Sequence, residues 1–451
     1  MLRPLATATL ALALAGIVVP AGRAQSDLDG RIDRELPSLL DTYMRLHAAP
    51  ELSGHEEHTA AWLAGELRTL GFDVTEHIGT YLEPDLVATG VAGVLKNGAG
   101  PTVLVRTELD ALPVAERTGL PYASTVQTKN ADGQTVGVMH ACGHDIHMTV
   151  VLGTARLLAA TKDRWRGTLI VVGQPAEEIG KGADAMLRDH LYQRVGTPDV
   201  VLAVHDSADL AAGVVGYAPG FALANIDSVD LTVRGVGGHG AMPEKTHDPV
   251  VLAAQIVLAL QTIVSREISP LDPAVITVGS IHGGTKRNII PDDVVLQLTV
   301  RTYKKDVREH VLAAIQREAR GLAVAAGMPE DRMPIVTVSE TERGDALYND
   351  PALAARMAKM WTAALGADRV VQMAPEMVSE DVGHFGLDGK IPVLQFRIGA
   401  VAPAALAEAR TSGRALPALH SALFAPVPEP TIRGGVQAMT LAVLALLPAS
   451  R

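Results

Sequence analysis

"TVLVRTELDALPVAE", residues 102–116, decides the fold class. The short apolar run of residues 102–106 ends in charge, with Glu108 and Asp110 close behind. Two later runs obey the same rule: "TLIVVG" (168–173) leads into "QPAEE", and "VVLAVH" (200–205) ends on His205 and Asp206. Runs apolar on both faces suit central strands of a sheet that helices cover on each side. "MTVVLGTARLLAATKD", from Met148, predicts a helix between the first two strands. "SGHEEHTAAWLAGELRTLG", from Ser53, predicts another: Ser53 and Glu56 have capping-box spacing, Trp62, Leu63, Leu67 and Leu70 share one side, and Gly71 is the stop. Strands alternating with helices make this an α/β protein.

From about Asp227 to about Ser339 the pattern changes. Strand "SVDLTVRG", helix "DPVVLAAQIVLALQTIVSRE", strands "AVITVGSI" and "DVVLQLTVRTY", helix "DVREHVLAAIQREARGLAVAAG" and strand "PIVTVSE" follow one another. This β-α-β-β-α-β order is the ferredoxin-like arrangement, a self-contained unit. The first pattern then resumes with helix "DPALAARMAKMWTAALG" and strand "IPVLQFRIG". The expectation is a discontinuous α/β domain, residues 25–226 and 340–451, interrupted by a smaller satellite domain, residues 227–339.

At the N-terminus, Arg3, an apolar run over residues 5–19 and small residues around Ala24 form the pattern of a secretory signal peptide. Cleavage after Ala24 is expected, which would place the protein in the periplasm or outside the cell. The run is shorter than the roughly 20 residues a spanning helix needs, and no later stretch reads as a span, so no stable membrane insertion is expected. A net charge of −11 without a Lys/Arg block argues against nucleic acid as a partner.

Cys142, in "GVMHACGHDIHMTVV" (137–151), is the only cysteine among 451 residues. In an oxidising compartment cysteines are normally paired or absent, and one cysteine cannot form an internal bridge. It is a buried thiol, an intermolecular bridge, a nucleophile or a metal ligand, and composition alone favours the buried thiol. Its neighbours argue otherwise. In open α/β sheets ligands bind beyond the carboxyl ends of the strands, where Glu108, Asp110, Glu177, Glu178, His205 and the loop carrying Cys142 and His144 all fall. Thiolate, imidazole and carboxylate together are the ligand set of zinc and its neighbours. Of the adjacent Glu177 and Glu178, one could bind metal while the other serves as general base. Each signal alone is weak, since a Glu-Glu pair is usually a solvated loop; their joint placement carries the reading.

The segments "RLHAAPELSGHEEHT", "ELDALPVAE", "MHACGHDIHMT", "GQPAEE", "GVGGHGAMP", "RNIIPDD", "VSED" and "LHSALF" resemble, in the same order, the metal-dependent amidohydrolases that include hippurate hydrolases, N-acyl-amino-acid amidohydrolases and indole-acetyl-amino-acid hydrolases. These form a branch of the aminoacylase and carboxypeptidase metallopeptidases. The resemblance implies a catalytic domain interrupted by a satellite domain. It implies metal ligands at Cys142, His144, Glu178, His205 and His420, with Cys142 bridging two ions, Glu177 as general base, and Asp110 orienting His144 from behind. It gives His239, in the glycine-rich "GVGGHGAMP", the task of stabilising an oxyanion, often in the site of a dimer partner. Asn288 in "RNIIPDD" and Arg301 in "LTVRT" are candidates to bind the substrate carboxylate.

The chain departs from the family pattern in five places. Glu244 stands where a second histidine is common, Val382 where an aromatic follows "ED", and Glu108 where an aspartate is usual. Asp206 and Ser207 follow His205 in place of an aromatic or proline. The expected activity is hydrolysis of the amide bond of N-acyl amino acids by one or two divalent ions per subunit, zinc or manganese first, cobalt or nickel next. A homodimer through the satellite domain is also expected. The alternatives are a metallo-carboxypeptidase or dipeptidase, a cysteine hydrolase with Cys142 as nucleophile, and an inactive binding protein on the same scaffold.

Overall fold

The computed structural model describes residues 21–130 and 133–449. Residues 1–20 of the expected signal peptide lie outside that range. The large sheet has eight strands in the order Asp73–Ile78, Gly90–Asn97, Gly167–Gln174, Thr102–Glu108, Val200–Ala211, Val393–Val401, Val215–Tyr217, Val370–Gln372. Its four central strands, from Gly167–Gln174 to Val393–Val401, are mutually parallel. Both faces are covered, which is why these strands read as unbroken apolar runs. One face packs against helices Glu57–Thr69, His144–Ala160, Pro351–Leu365 and Pro428–Leu446 through residues such as Leu63, Val151, Trp361 and Val436. The other buries Leu104, Ile170 and Val201 against the short helix Gly182–Arg188 and the segment around Phe385.

Two long helices on the first face have no counterpart in the sequence reading. Helix Ala21–Ala48 turns Leu28, Ile32, Leu39 and Tyr43 inward at helical spacing and packs against His144–Ala160 and Pro428–Leu446. The capping-box expectation fails as well. Helix Glu57–Thr69 has no side-chain cap, because the Ser53 hydroxyl donates to Asp110 Oδ2 at 2.7 Å instead.

Between Ile226 and Gly344 the expected β-α-β-β-α-β order holds. Four antiparallel strands lie in the order Ala274–Gly283, Asp293–Thr302, Ile226–Arg234, Ile335–Gly344. Val229, Leu231 and Val233, with Val294, Leu296 and Leu298, alternate onto one buried face. Helices Pro249–Thr262 and Lys305–Ala325 cover that face, the second through Val311, Ile315, Ala319 and Ala323 at four-residue spacing. The unit thus has its own apolar core. One expectation needs correction: residues Pro249–Glu267 are, by length and composition, apolar enough to cross a membrane. The threshold is reached because Val250, Val251 and Leu258 add an exposed apolar face to the inward-facing Leu252, Ile256 and Leu260.

Candidate metal centre

The site sits where the central strands end. Thr102–Glu108 pairs with Val200–Ala211 only as far as Arg106 and Ala203. The second strand runs on to Ala211, so His205 lies within its own strand but past the last residue that pairs with Thr102–Glu108. Helix His144–Ala160 starts four residues earlier than the sequence suggested, making His144 its first residue. Gly143 permits this start. It adopts φ +77°, and the Asp206 carboxylate fills the space a Cβ there would need.

These elements bring the expected donors together. Cys142 Sγ lies 3.4 Å from His205 Nε2 and 3.3 Å from His420 Nε2. Glu178 Oε2 is 3.5 Å from His420 Nε2, and His144 Nε2 is 3.7 Å from both Glu177 Oε2 and Glu178 Oε1. Among the donor triads that result are Cys142–His144–His205 and Cys142–Glu178–His420, each with its ligand atoms within 4.8 Å of one another. Cys142 belongs to both. The tautomers suit ligation: His144 Nδ1 donates to the Asp110 carbonyl at 2.8 Å and His205 Nδ1 to the Asp206 carbonyl at 2.8 Å, which turns each Nε2 lone pair inward. Burial and Arg397 push His205 down to about 4, so it is neutral, as a ligand must be. His144 Nε2 and Glu178 Oε1 are buried without a hydrogen-bond partner. Such orphaned atoms are costly in an apolar interior, and a cation would satisfy them. The residues therefore fit a transition metal, which would also hold Cys142 as a thiolate against the burial that drives its pKa up.

The supports are mostly main chain. Asp110, expected behind His144, meets its Nδ1 through the carbonyl, with the carboxylate Oδ1 3.4 Å from the same nitrogen. The Asp110 carboxylate accepts from Ser53 and, at 2.9 Å, from the main-chain N–H of Glu178. Glu56, buried, accepts from Gly54 N, Thr89 Oγ1 and Ala176 N. That last bond pins the turn before Glu177, where Ala176 is in the left-handed region at φ +52°. Burial and the nearby Glu380 and Glu178 raise Glu177 well above the carboxylate range.

A buried network beneath the donors escaped the sequence reading. Fully buried Arg106 bonds Gln174, Glu108, Glu380 and Asp381, tying two strand ends to the loop before Val382. Its signal was a basic residue inside an apolar central strand, two places from Glu108. His147 Nδ1 faces Glu108 Oε2 at 3.0 Å while its Nε2 accepts the Asp206 N–H at 2.8 Å. Two departures from the family pattern, Glu108 and Asp206, are thus joined through one imidazole. Val382 is buried in the apolar core, Glu244 lies exposed in a short turn, and Ser207 lines the cavity.

The donors open into a cavity of about 1390 Å³ walled by both units, and Arg301 lines it. His239 and Asn288 do not. They lie exposed beside one another, where strand Gly238–His239 pairs with Ile289–Ile290 and Gly240 N donates to the Asn288 carbonyl at 3.0 Å. Within one chain, then, the expected oxyanion residue stands apart from the donors.

The family model for peptidase family M20/M25/M40 matches residues 104–413. The chain is 34% identical to an N-acetyl-L-cysteine deacetylase of Bacillus subtilis (strain 168), over 77% of both chains. It is 34% identical to an N-acetyldiaminopimelate deacetylase of Limosilactobacillus fermentum, over 89% of this chain and 95% of that one. Among solved structures, a dinuclear metal-binding peptidase of the M20 family from Bacillus subtilis superposes with a TM-score of 0.71 at 27% identity, covering 92% of this chain and 99% of that one.

Proposed function

The chain belongs to peptidase family M20/M25/M40 and is a metal-dependent hydrolase; from that premise we propose that it cleaves the amide bond of N-acyl amino acids, releasing a carboxylic acid and a free amino acid. The observation that carries this reading is the pair of donor triads sharing Cys142, with Glu177 beside them at the floor of a large cavity. The two deacetylase relatives support the N-acyl half of it. Cys142, His144, Glu178, His205 and His420 would hold one or two divalent ions, zinc or manganese first and cobalt or nickel next, sulfur favouring zinc and its neighbours over magnesium. When bound, such an ion supplies a Lewis acid that polarises the scissile carbonyl and acidifies water.

The chain's own residues do the rest. Glu177, its pKa lifted by burial, accepts the proton of the attacking water and passes it to the leaving nitrogen. Oxyanion stabilisation falls to His239 of the partner subunit, because His239 of the same chain does not line the cavity. Residues 227–339 serve as the dimerisation unit in this reading. The exposed Val250, Val251 and Leu258, and the open edge of strand Ala274–Gly283, support a second copy docking there. Export with cleavage after Ala24 is part of the same proposal; an intact mass that includes residues 1–24 in protein from the native compartment would refute it.

A panel of N-acyl amino acids and dipeptides, assayed with metal-loaded enzyme, tests the reaction. Turnover of N-acyl amino acids is expected, and turnover confined to dipeptides would overturn it in favour of a dipeptidase.

A further inference from the structure

Several inward-facing arginines have their donors engaged within the fold. Arg106 has Nε and both Nη atoms engaged, and Arg308 grips Asp227 with two nitrogens and Asp345 with the third. Arg234 spends two donors on the Met333 carbonyl. These are structural. Arg301 and Arg397 differ, each keeping a buried Nη1 with no hydrogen-bond partner, and both line the cavity over the donor cluster. A guanidinium carries five donors and cannot shed its charge, so leaving donors buried and unpaired is costly unless an acceptor arrives.

Their positions give them separate tasks. Arg301 comes from strand Asp293–Thr302, across the cavity from the large sheet, and its Nε reaches Thr299 Oγ1 at 3.2 Å. Arg397 comes from the large sheet itself. Strand Val393–Val401 runs parallel to Val200–Ala211 with Arg397 in register with His205, so the two side chains rise on the same face. Arg397 Nη2 meets Glu376 at 3.3 Å, which leaves Nη1 for a ligand. One guanidinium with a free Nη1 therefore stands beside the donor cluster and a second on the opposite unit.

We propose that Arg397 is a specificity-determining residue that binds a second carboxylate of the substrate, making this cavity a site for dicarboxylic N-acyl amino acids whose other carboxylate goes to Arg301. The proposal rests on the N-acyl amino acid reading above. The second carboxylate belongs to the amino acid side chain or to the acyl group, and both carry the same chemistry to Arg397.

Two measurements test it. The first compares kcat/KM for N-acetyl-L-glutamate with N-acetyl-L-glutamine, and for N-succinyl-L-alanine with its neutral succinamoyl counterpart. At least one charged member should be favoured roughly 10- to 100-fold, the span expected for a charged hydrogen-bonded pair. Arg397→Gln should bring the charged and neutral members of that pair to the same kcat/KM, and Arg397→Lys should restore part of the difference. The pair that shows the effect locates the carboxylate. The second measurement is calorimetric binding of glutarate against butyrate to metal-loaded protein, where wild type should prefer glutarate and Arg397→Gln should not.

Equal kcat/KM within both pairs, or equal loss on charged and neutral substrates in Arg397→Gln, overturns the proposal while leaving amide hydrolysis standing. If no N-acyl amino acid is turned over yet glutarate binding still depends on Arg397, the hydrolysis reading fails and the anion site survives. If glutarate and butyrate bind alike, the anion site fails whatever the activity.

Discussion

The main-chain N–H of His420 donates to the carbonyl of Ala141 at 2.8 Å, fastening the C-terminal donor loop directly to the cysteine turn. His420 holds a left-handed conformation, φ +65°, that a non-glycine residue adopts at a cost of about 1–3 kcal/mol. The bond and the strain together place its Nε2 against Cys142.

The first prediction concerns metal. Because Cys142 belongs to both triads and His420 to one, Cys142→Ser should cost more bound metal than His420→Ala, read by elemental analysis of dialysed protein. Chelator should abolish activity and added zinc or manganese restore it. Activity indifferent to chelator in protein free of metal would sink the metal assignment, and loss through Cys142→Ser under those conditions would point to a thiol nucleophile.

Glu177→Gln should keep fold and metal yet lose roughly 10²- to 10⁴-fold in kcat, since an amide cannot accept the proton. His239→Ala should lose about 10²- to 10³-fold, as for one oxyanion donor. Mixing the two inactive proteins should regain activity through hybrid dimers carrying one intact site. No recovery from mixtures shown to exchange subunits would contradict donation by the partner.

Gly143→Ala should destabilise the fold by roughly 1–3 kcal/mol or more, because alanine resists φ +77° and its methyl would displace the Asp206 carboxylate. A melting temperature equal to wild type, with metal content unchanged, would show that the turn can relax.

A further expectation is pH-dependent stability. Burial alone would depress the His47 pKa, but Asp145 at 2.7 Å and Glu116 at 3.0 Å outweigh it and lift it to about 9. A folded pKa above the unfolded value near 6.5 contributes stability that is whole below about pH 6.5 and vanishes as pH rises through 9. The contribution is at most roughly 3 kcal/mol. Thermal melts of wild type and His47→Gln should differ most below pH 6.5 and converge toward pH 9, and a constant gap would contradict the linkage.

Much of the fold was legible because burial writes itself into local pattern. Central strands covered on both faces leave runs such as residues 168–173, and the one-sided sheet leaves the alternation of Val229, Leu231 and Val233. Glu178, His205 and the loop with Cys142 and His144 were legible because they fall toward the carboxyl ends of central strands, whereas His420, in a loop after helix Pro403–Ser412, was legible only through the family resemblance. Helix Ala21–Ala48 was not, since Pro37 inside it reads as a helix breaker although it sits on the exposed face, clear of the inward stripe. The bonds of Ser53, Arg106 and His147 were not either. Each joins residues from different elements, and a capping hydroxyl goes to a distant buried carboxylate when the fold brings one within reach.

Strand Val393–Val401 lies in the middle of the large sheet, beside Val200–Ala211, although the whole four-stranded unit separates them in sequence. During synthesis the four-stranded unit has all its strands as soon as Gly344 emerges and can close first. The large sheet must wait with an open edge at Val200–Ala211 until the last hundred or so residues arrive, exposing an apolar strand that chains of its own kind can pair with. A truncation anywhere before Val393 therefore removes more than His420: it leaves that edge permanently bare, and the expected fate of such a fragment is aggregation rather than a smaller enzyme.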